Sequence, residues 1–409
     1  MKTDTLKFKS LRLAAAGAAL LVTTSAALAA VPCRTNGPFP AWLAQVKKEA
    51  QAQGISPRAL AQAEPFLTYD ARIVGIDQGQ RVFTQTFMEF SQLLVPPSRI
   101  ANGQGQLKQH AAIFARAEKE YGVPASVIAA FWGLESDFGA NMGKEQSIRS
   151  IVSLAYDCRR AEMFRGHLFD SLRLLDRGDL QASEMIGSWA GELGQSQMMP
   201  TEYFKYAVDY DGDGKRNLLR SPADVIGSTA NYLQHLGWKR GQPWLQEVKV
   251  PANFPWKEAG LDVKHSRNEF AKMGVTYVDG RPLPKDDMPA NVLLPMGRFG
   301  PAFMVYDNFQ VYIVWNNSLV YSTTAAYFAT RLNGAGPMRS PTQAVPTVSP
   351  EQAKEMQTIL TKMGFDVGGI DGKLGLASRT AIKQVQIKFG MPADSYPTPE
   401  LLDRLKAGK

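Results

Sequence analysis

An apolar helical run that ends in a single acid constrains this 409-residue chain more than any other stretch. Val127 to Leu134 carries no ionisable group, and Glu135 follows at once within the octapeptide Trp-Gly-Leu-Glu-Ser-Asp-Phe-Gly at 132–139. A carboxyl group in such surroundings is desolvated, which disfavours its charged form and raises its pKa toward the range of a general acid. A buried glutamate at a helix end is also commonly structural, so the pattern leaves the role of Glu135 open.

The first 29 residues have the pattern of a signal peptide. A basic segment precedes an apolar stretch from Leu13 to Leu28, and Ala27-Leu28-Ala29 has the small-x-small form of a signal-peptidase site. A non-cleaved membrane anchor is the alternative, although the run is short for a span. We therefore expect cleavage near Ala29, export to the periplasm, and no transmembrane span in the mature chain.

The charge balance narrows the classes of partner. Loss of residues 1–29 removes four basic residues and one acid, so the formal net charge falls from +8 to +5. Basic residues are spread along the chain without an Arg/Lys block, and a nucleic-acid partner is therefore not expected. A mildly basic exported protein suits an anionic polymer such as the cell wall, among other partners.

The cysteine and histidine content argues against a metal or redox cofactor. The two cysteines, Cys33 and Cys158, have no CxxC spacing, and the four histidines lie far apart. In an oxidising compartment a pair of cysteines is more often bonded than free, so we expect a Cys33–Cys158 disulfide. Neither a cofactor nor a His-dependent nucleophile is expected.

Hydrophobic periodicity predicts a mainly α (α+β) chain with a small β insertion. Helical spacing of apolar residues predicts helices at 41–64, 81–93, 105–120, 124–135, 161–176, 222–237 and 322–332. Short β-type runs separated by Pro and Gly predict strands at 248–250, 275–277, 292–294, 303–306 and 311–314.

A segment rich in Pro, Ser and Thr separates a small C-terminal unit from the rest. We expect a large domain at 30–335, a linker at 336–349 and a small helical domain at 350–409. Within the small domain, helices are predicted near 351–363 and 376–389.

The segment from Ser188 to Thr201 is difficult to explain as ordinary packing. Gly191 and Gly194 allow close backbone approach, and amide and hydroxyl side chains crowd the residues before Pro200. Such side chains hydrogen-bond the hydroxyl and acetamido groups of a sugar. The segment therefore indicates a saccharide-binding loop.

Taken together, these patterns resemble the lytic murein transglycosylases of the membrane-bound B type, also called the SltB type. The resemblance covers roughly residues 38–335 and rests on four motifs in the family's order and spacing. They are Glu-x-x-Phe-Gly at 135–139, Leu-Ala-Tyr-Asp-Cys-Arg-Arg at 154–160, Gly-x-x-Gln-x-x-Pro at 194–200 and Val-Asp-Tyr-Asp-Gly-Asp-Gly at 208–214. The resemblance implies a lysozyme-like catalytic domain.

The last 60 residues resemble a three-helix peptidoglycan-binding domain, through Gly364-Phe, Ile370-Asp-Gly and Leu374-Gly. An unrelated helical interaction unit is the alternative. The two resemblances imply peptidoglycan glycan strands as the substrate and cell-wall synthesis proteins as possible partners.

The implied activity is non-hydrolytic cleavage of the bond between N-acetylmuramic acid (MurNAc) and N-acetylglucosamine (GlcNAc), with a 1,6-anhydromuramoyl end as product. Ordinary glycoside hydrolysis needs two carboxylates, and the motif offers Glu135 alone, since Asp137 points away from it in a helix. A substrate whose own acetamido and 6-hydroxyl groups take part needs one carboxyl group. A hydrolytic muramidase and a non-catalytic wall-binding scaffold are the alternatives.

The resemblance also implies a set of substrate-binding residues around Glu135. Gln197 matches the motif glutamine that contacts sugar near the cleaved bond, and Ser188 matches a serine of the same subsites. The remaining candidates are Asn316 and Tyr321 for sugar or acetamido contacts, Tyr232 for a sugar face, and Arg159 and Arg160 for lactyl or peptide carboxylates. A structural hydrogen bond or an exposed position is the alternative for each.

The stretch from Asp209 to Lys215 matches the first half of an EF-hand calcium loop. Position twelve, where a bidentate Glu is needed, is Arg220, and the next acid, Asp224, comes late. Some relatives bind calcium here, but the missing ligand favours an Asx- and Gly-rich turn, and no metal is assigned.

Overall fold

The computed structural model describes residues 33–79 and 85–408. The predicted signal peptide at 1–29 and the first residues of the helix predicted at 81–93 lie outside the described residues.

Helices dominate the described residues before the β insertion. In chain order the elements are α1 (Phe39–Ala52), α2 (Pro57–Ala63), α3 (Ala71–Gln78), α4 (Phe87–Leu94), α5 (Pro97–Gln109), α6 (Ala111–Tyr121), α7 (Ala125–Ser136), β1 (Glu145–Gln146), α8 (Ser147–Tyr156), α9 (Ala161–Arg177), β2 (Ile186–Gly187), α10 (Pro200–Tyr206) and α11 (Pro222–His235). Strands β1 and β2 form an antiparallel pair.

Two predicted helices are each divided into two. The helix predicted at 41–64 is interrupted before α2, because Ser56 caps α2 by accepting a hydrogen bond from the Ala59 N–H and Pro57 occupies the first helical position. The helix predicted at 105–120 is interrupted at His110, which ends α5 and precedes α6 with a non-helical backbone.

The predicted β insertion is a five-stranded antiparallel sheet. Its elements are β3 (Leu245–Lys249), β4 (His265–Ser266), α12 (Arg267–Lys272), β5 (Thr276–Tyr277), β6 (Pro289–Leu293) and β7 (Ala302–Val305), followed by α13 (Phe309–Trp315) and α14 (Leu319–Leu332). The strand order is β4-β6-β7-β3-β5, with β7 in the middle between β6 and β3. This sheet packs over a hydrophobic cluster of its own.

The strand predicted at 311–314 is wrong, because these residues lie inside α13. The ring of Tyr312 stacks against Phe131 of α7 with centroids 4.9 Å apart, and Tyr312 is fully buried. β propensity reflects the surroundings of a residue more than its backbone preference, and here packing against α7 decides the conformation.

Helix α7 lies at the centre of the large hydrophobic core. Its residues from Val127 to Gly133 are buried on all sides, and it packs against α5, α11 and α14. A Cβ atom on Gly133 would lie 2.6 Å from Phe138 and 2.9 Å from Phe328, so only glycine permits this approach. The core position of α7 fixes where Glu135, in its last turn, emerges.

The C-terminal unit is a three-helix bundle, formed by α15 (Pro350–Lys362), α16 (Leu376–Lys388) and α17 (Pro399–Ala407). It has a separate hydrophobic cluster that includes Leu360 and Val385. Together with the helical part and the small sheet, it confirms the predicted mainly α (α+β) fold class.

The C-terminal unit is docked onto the β insertion through buried charged groups. Lys383 Nζ, on a side chain only 4% exposed, donates to the Ala259 carbonyl at 2.7 Å and to Asp262 Oδ2 at 2.9 Å. Arg379 Nη2 donates to the Pro295 carbonyl at 2.8 Å. These contacts hold the C-terminal unit in one orientation against the sheet.

The expected disulfide between Cys33 and Cys158 is present, with Cα atoms 5.2 Å apart. It ties the start of the described chain to the loop between α8 and α9. In the described residues, no helix is long and apolar enough to cross a membrane.

Candidate active site

Glu135 lies where α7 ends in a tight left-handed turn. Asp137 and Phe138 both adopt positive φ angles, 51° and 59°, which stop the helix. Ser136 Oγ donates to the Gln195 carbonyl at 2.6 Å and accepts from the Gly139 N–H at 2.9 Å. The end of α7 is thus fastened to the loop that contains Gln195.

Asp137 lies beyond the last helical residue of α7, in a left-handed backbone conformation, so the helical spacing used in the prediction does not apply to it. Its carboxylate accepts a hydrogen bond from Arg99 Nε at 3.1 Å. Asp137 is therefore a helix-end residue with its own cation.

Two side chains from distant parts of the chain hold the Glu135 carboxyl group. Trp315 Nε1 donates to Glu135 Oε1 at 2.8 Å, and the Tyr321 hydroxyl donates to the same oxygen. Trp315 ends α13 and Tyr321 lies in the first turn of α14. The Trp315 ring packs between the rings of Phe131 and Tyr232, with centroid distances of 4.4 Å and 5.2 Å. This packing fixes the orientation of the indole and directs its N–H toward the carboxyl group.

The surroundings of Glu135 raise its pKa to about 7. Desolvation by burial is the largest cause, the hydrogen bonds from Tyr321 and Trp315 oppose it, and the negative charge of Glu192 raises the pKa further. Near neutral pH the carboxyl group therefore donates and accepts a proton with similar ease, as a general acid and base must.

The loop from Ser188 to Pro200 packs against the end of α7. Gln195 Oε1 accepts from Trp132 Nε1 at 2.9 Å, inside the core. Gln197, with a φ of 46°, turns its side chain back so that Nε2 donates to the Gly194 carbonyl at 2.8 Å. Gln197 is thus held within the loop and remains partly exposed.

Sequence patterns alone did not indicate Gln195 or Glu192. Gln195 is one of two glutamines in the Gly-x-x-Gln motif, and its side chain is buried against Trp132 of α7. Glu192 lies in the same loop, and its pKa is raised overall. Burial raises the pKa, and the Ser188 hydrogen bond and the charge of Arg160 oppose this effect. An acid inside a polar, glycine-containing loop was the available signal for Glu192.

Arg159 and Arg160 share a carboxylate partner from α3. Arg159 Nε donates to Asp77 Oδ2 at 2.9 Å, and Arg160 Nη2 donates to Asp77 Oδ1. The Asp77 side chain is 2% exposed, while the two arginine side chains are 49% and 37% exposed. Asp77 therefore orients both guanidinium groups and leaves part of each accessible.

The other predicted contacts flank Trp315. Tyr232 stacks on Tyr206 with ring centroids 4.9 Å apart. Asn316 Oδ1 accepts from the Ser318 N–H at 3.0 Å and thereby shapes the turn into α14. The structure thus brings three of the predicted residues close to Trp315: Glu135 accepts its hydrogen bond, Tyr232 contacts its ring and Asn316 follows it in the chain. Tyr321 joins them through its hydrogen bond to Glu135.

The acidic loop that begins at Asp209 is held by contacts of its own. Oxygens of Asp209, Asp211 and Asp213 lie within 4.8 Å of one another, and Asp209 accepts three backbone N–H groups of its own loop. Arg220, at position twelve, pairs with Glu184 at 2.8 Å, and Asp224 accepts backbone N–H groups from two other residues. The side chains present do not complete an EF-hand ligand set.

The Tyr321→Phe variant should lower turnover and shift its pH dependence. The lost donor stabilises the Glu135 carboxylate, and a hydrogen bond to a charged group contributes about 1.5–3 kcal/mol, so we expect turnover to fall roughly 10- to 100-fold. Because the Tyr321 hydrogen bond lowers the pKa of Glu135, its removal should move the alkaline limb of the pH–rate profile to higher pH. The profile is measured on a soluble glycan fragment.

The control is Tyr327→Phe on the same helix, whose hydroxyl contacts Arg331 and the Met338 N–H rather than Glu135. An alkaline limb that stays in place in Tyr321→Phe would contradict the assigned contact.

Comparison with known proteins places this chain in a family. A model of the transglycosylase SLT domain matches residues 38–330, and a model of a peptidoglycan binding domain matches residues 349–405. Membrane-bound lytic murein transglycosylase B of Escherichia coli (strain K12) is 31% identical over 239 residues, which are 58% of this chain and 64% of that protein. The match thus spans less than two thirds of that relative.

Solved structures give the same result. SltB3 from Pseudomonas aeruginosa, in complex with NAG-anhNAM-pentapeptide, has a TM-score of 0.83 and 41% identity over 90% of this chain and 99% of that chain. Slt35 from Escherichia coli, in complex with calcium, has a TM-score of 0.61 and 27% identity over 73% of this chain and 93% of that chain. The predicted lysozyme-like class and the resemblance read from the motifs are confirmed, and the chain belongs to the transglycosylase SLT-domain family.

Proposed function

We propose that the protein is a peptidoglycan lytic transglycosylase that cleaves the MurNAc–GlcNAc β-1,4 bond and leaves a 1,6-anhydromuramoyl end, for turnover and remodelling of the cell wall. The observation that carries this proposal is the Glu135 carboxyl group. Trp315 and Tyr321 hold its Oε1, and its pKa is raised to about 7. Across residues 33–79 and 85–408, no hydrogen bond engages Oε2, which is therefore available to a substrate oxygen.

The reaction needs one protein carboxyl group because the substrate supplies the nucleophiles. Glu135 protonates the glycosidic oxygen as its bond to C1 of the muramoyl residue breaks, and the acetamido oxygen of that residue bonds to C1. The 6-hydroxyl oxygen then attacks C1, the acetamido bond opens, and the Glu135 carboxylate takes the hydroxyl proton. Glu135 ends protonated, and no water enters the product.

The residues around Glu135 supply the substrate contacts in this proposal. Gln197 belongs to the loop fastened to α7 through Ser136, and Tyr232 lies beside Trp315. Ser188 belongs to the same loop, where its hydroxyl already donates to Glu192. Asn316 and Tyr321 lie at the start of α14. In this proposal Arg159 and Arg160 bind lactyl or stem-peptide carboxylates, which is supported by their partial exposure and by their shared partner Asp77.

The relatives and the rest of the chain support the same function. SltB3 was solved with an anhydro-sugar peptide, which supports an anhydro product here. The match at 349–405 supports binding of glycan strands by a domain at 350–409, joined by a linker at 336–349 to a catalytic domain at 30–335. The disulfide supports export to the periplasm, with a signal peptide cleaved near Ala29. Cell-wall synthesis proteins are further candidate partners.

Product analysis tests the proposal. Digestion of purified sacculi followed by mass spectrometry is expected to give muropeptides with 1,6-anhydromuramoyl ends. Reducing-end muramic acid would show a hydrolytic muramidase instead, and intact sacculi would indicate a wall-binding scaffold.

A further inference from the structure

Ser188 has no hydrogen-bonding capacity left for a sugar. Its hydroxyl donates to Glu192 Oε2 at 2.5 Å and accepts from the N–H groups of Ala190 at 3.1 Å and Glu192 at 3.3 Å. A serine hydroxyl has one donor and two acceptor positions, and all three are used. The polar group that this loop offers to a substrate must therefore be another one.

The Glu192 carboxylate is that group. Ser188 holds its Oε2, whereas Oε1 accepts no hydrogen bond from any side chain or backbone group in the described chain. Gly191, with a φ of 94°, fixes the backbone before it, because a Cβ atom there would lie 2.3 Å from Ile151 Cγ1. A carboxylate held at one oxygen and free at the other is preorganised for an external donor.

The loop that carries Glu192 is fastened to the residue next to Glu135, because Ser136 Oγ donates to the Gln195 carbonyl at 2.6 Å. In keeping with this geometry, the charge of Glu192 raises the pKa of Glu135 and also acts on Tyr321. The cation that acts on Glu192 is Arg160, whose guanidinium group is bonded to Asp77. Within the described residues no salt bridge engages Glu192, so no ion pair neutralises its charge.

The chemistry of the cleaved sugar gives this charge a use. When the acetamido oxygen bonds to C1, the positive charge of the bicyclic cation spreads to the acetamido nitrogen, and its N–H becomes a stronger donor. A carboxylate that accepts this N–H orients the acetamido group before the step and stabilises the cation during it. Glu192 is not required to transfer a proton or form a bond.

We propose that Glu192 is a substrate-binding carboxylate that accepts the acetamido N–H of the muramoyl residue through Oε1 while Ser188 holds Oε2. This inference rests on the proposed function, in that it assigns Glu192 to the acetamido-assisted step. It also assigns Ser188 to positioning Glu192 rather than to direct sugar contact.

Glu192→Gln tests this role. The amide oxygen of the variant still accepts from Ser188, so the loop conformation is retained. The amide NH₂ then faces the substrate N–H, and two donors meet where the wild type has a donor and an acceptor. We expect turnover of a soluble glycan fragment to fall about 100-fold, as for loss of one charge-stabilising contact, with an unchanged thermal unfolding midpoint. Glu184→Gln, a matched change at an acid paired with Arg220, should keep wild-type turnover.

Binding of a muramoyl thiazoline, a stable mimic of the bicyclic cation, gives a second readout without turnover. The protonated ring nitrogen presents the N–H, so calorimetry should show at least about tenfold weaker binding to Glu192→Gln than to the wild type. Wild-type turnover or wild-type thiazoline affinity in folded Glu192→Gln would overturn the assignment of Glu192. A reduced unfolding midpoint with retained thiazoline affinity would overturn it too, and would show a structural role.

Failure of this inference is distinguishable from failure of the proposed function. If wild-type protein releases anhydromuramoyl ends and Glu192→Gln is fully active, only the role of Glu192 is wrong. If the wild type releases reducing ends, the proposed function fails on product analysis alone.

Discussion

Glu135→Gln is expected to lower the release of anhydromuramoyl products about 10³-fold or more while the protein stays folded. The amide cannot protonate the glycosidic oxygen or take the proton of the 6-hydroxyl group, and general acid–base catalysis contributes about 10²- to 10⁴-fold at each proton transfer. Its size matches that of the carboxyl group, and Trp315 Nε1 still has an oxygen to donate to. Mass spectrometry of sacculus digests measures the loss directly.

The same variant should change how stability depends on pH. The pKa of Glu135 is raised from its ordinary value of 4.5 to about 7 in the folded protein. Below pH 4.5 both folded and unfolded chains hold the proton, so there is no effect. Between pH 4.5 and 7 the unfolded chain ionises first, so folding stability falls as the pH rises, and above pH 7 the full cost remains.

The raised pKa of Glu135 should lower the free energy of unfolding by at most about 3 kcal/mol above pH 7. Glu135→Gln does not titrate, so it should gain stability relative to the wild type between pH 5 and pH 8 in urea unfolding. Glu184→Gln serves as the control in both measurements. Wild-type product release by Glu135→Gln, or an equal pH dependence of stability in the two proteins, would contradict the assignment of Glu135.

The parts of the fold that follow from local patterns were predictable. The apolar run of α7 is visible within a few residues. The Ser56-Pro57 pair that begins α2 is visible too, although the helix predicted at 41–64 was continued through it. By contrast, α13 has a β-type sequence and becomes helical through burial against Phe131. A local pattern does not contain the surface against which a segment packs.

The centre of the site was predictable, but its supporting contacts were not. Glu135 was recognisable from its apolar neighbours, whereas its two donors lie 180 and 186 positions later in the chain. Tyr321 was predicted as a substrate contact and is also a partner of Glu135. Ser188 was predicted as a sugar contact, and only the three-dimensional loop shows that its hydroxyl is already occupied.

Removal of the Cys33–Cys158 disulfide is expected to have the largest effect on stability. The bond joins residues 125 positions apart, and closing a loop of this length lowers the entropy of the unfolded chain by an amount equivalent to about 4–5 kcal/mol at 25 °C. Cys33→Ser with Cys158→Ser should lower the free energy of unfolding by that order, measured in urea. The double replacement leaves no single thiol to form mixed disulfides.

Turnover of the double variant at 25 °C should be close to that of the wild type, because Trp315 and Tyr321 hold Glu135 from outside the closed loop. Arg159 and Arg160 follow directly after Cys158, so loss of the disulfide should loosen both side chains. If they bind substrate carboxylates as proposed, the double variant should show a larger increase in KM than decrease in kcat. Wild-type protein treated with a reductant should reproduce the double variant in urea. Equal unfolding free energies for the oxidised and reduced proteins would contradict this prediction and show that the disulfide has little thermodynamic effect.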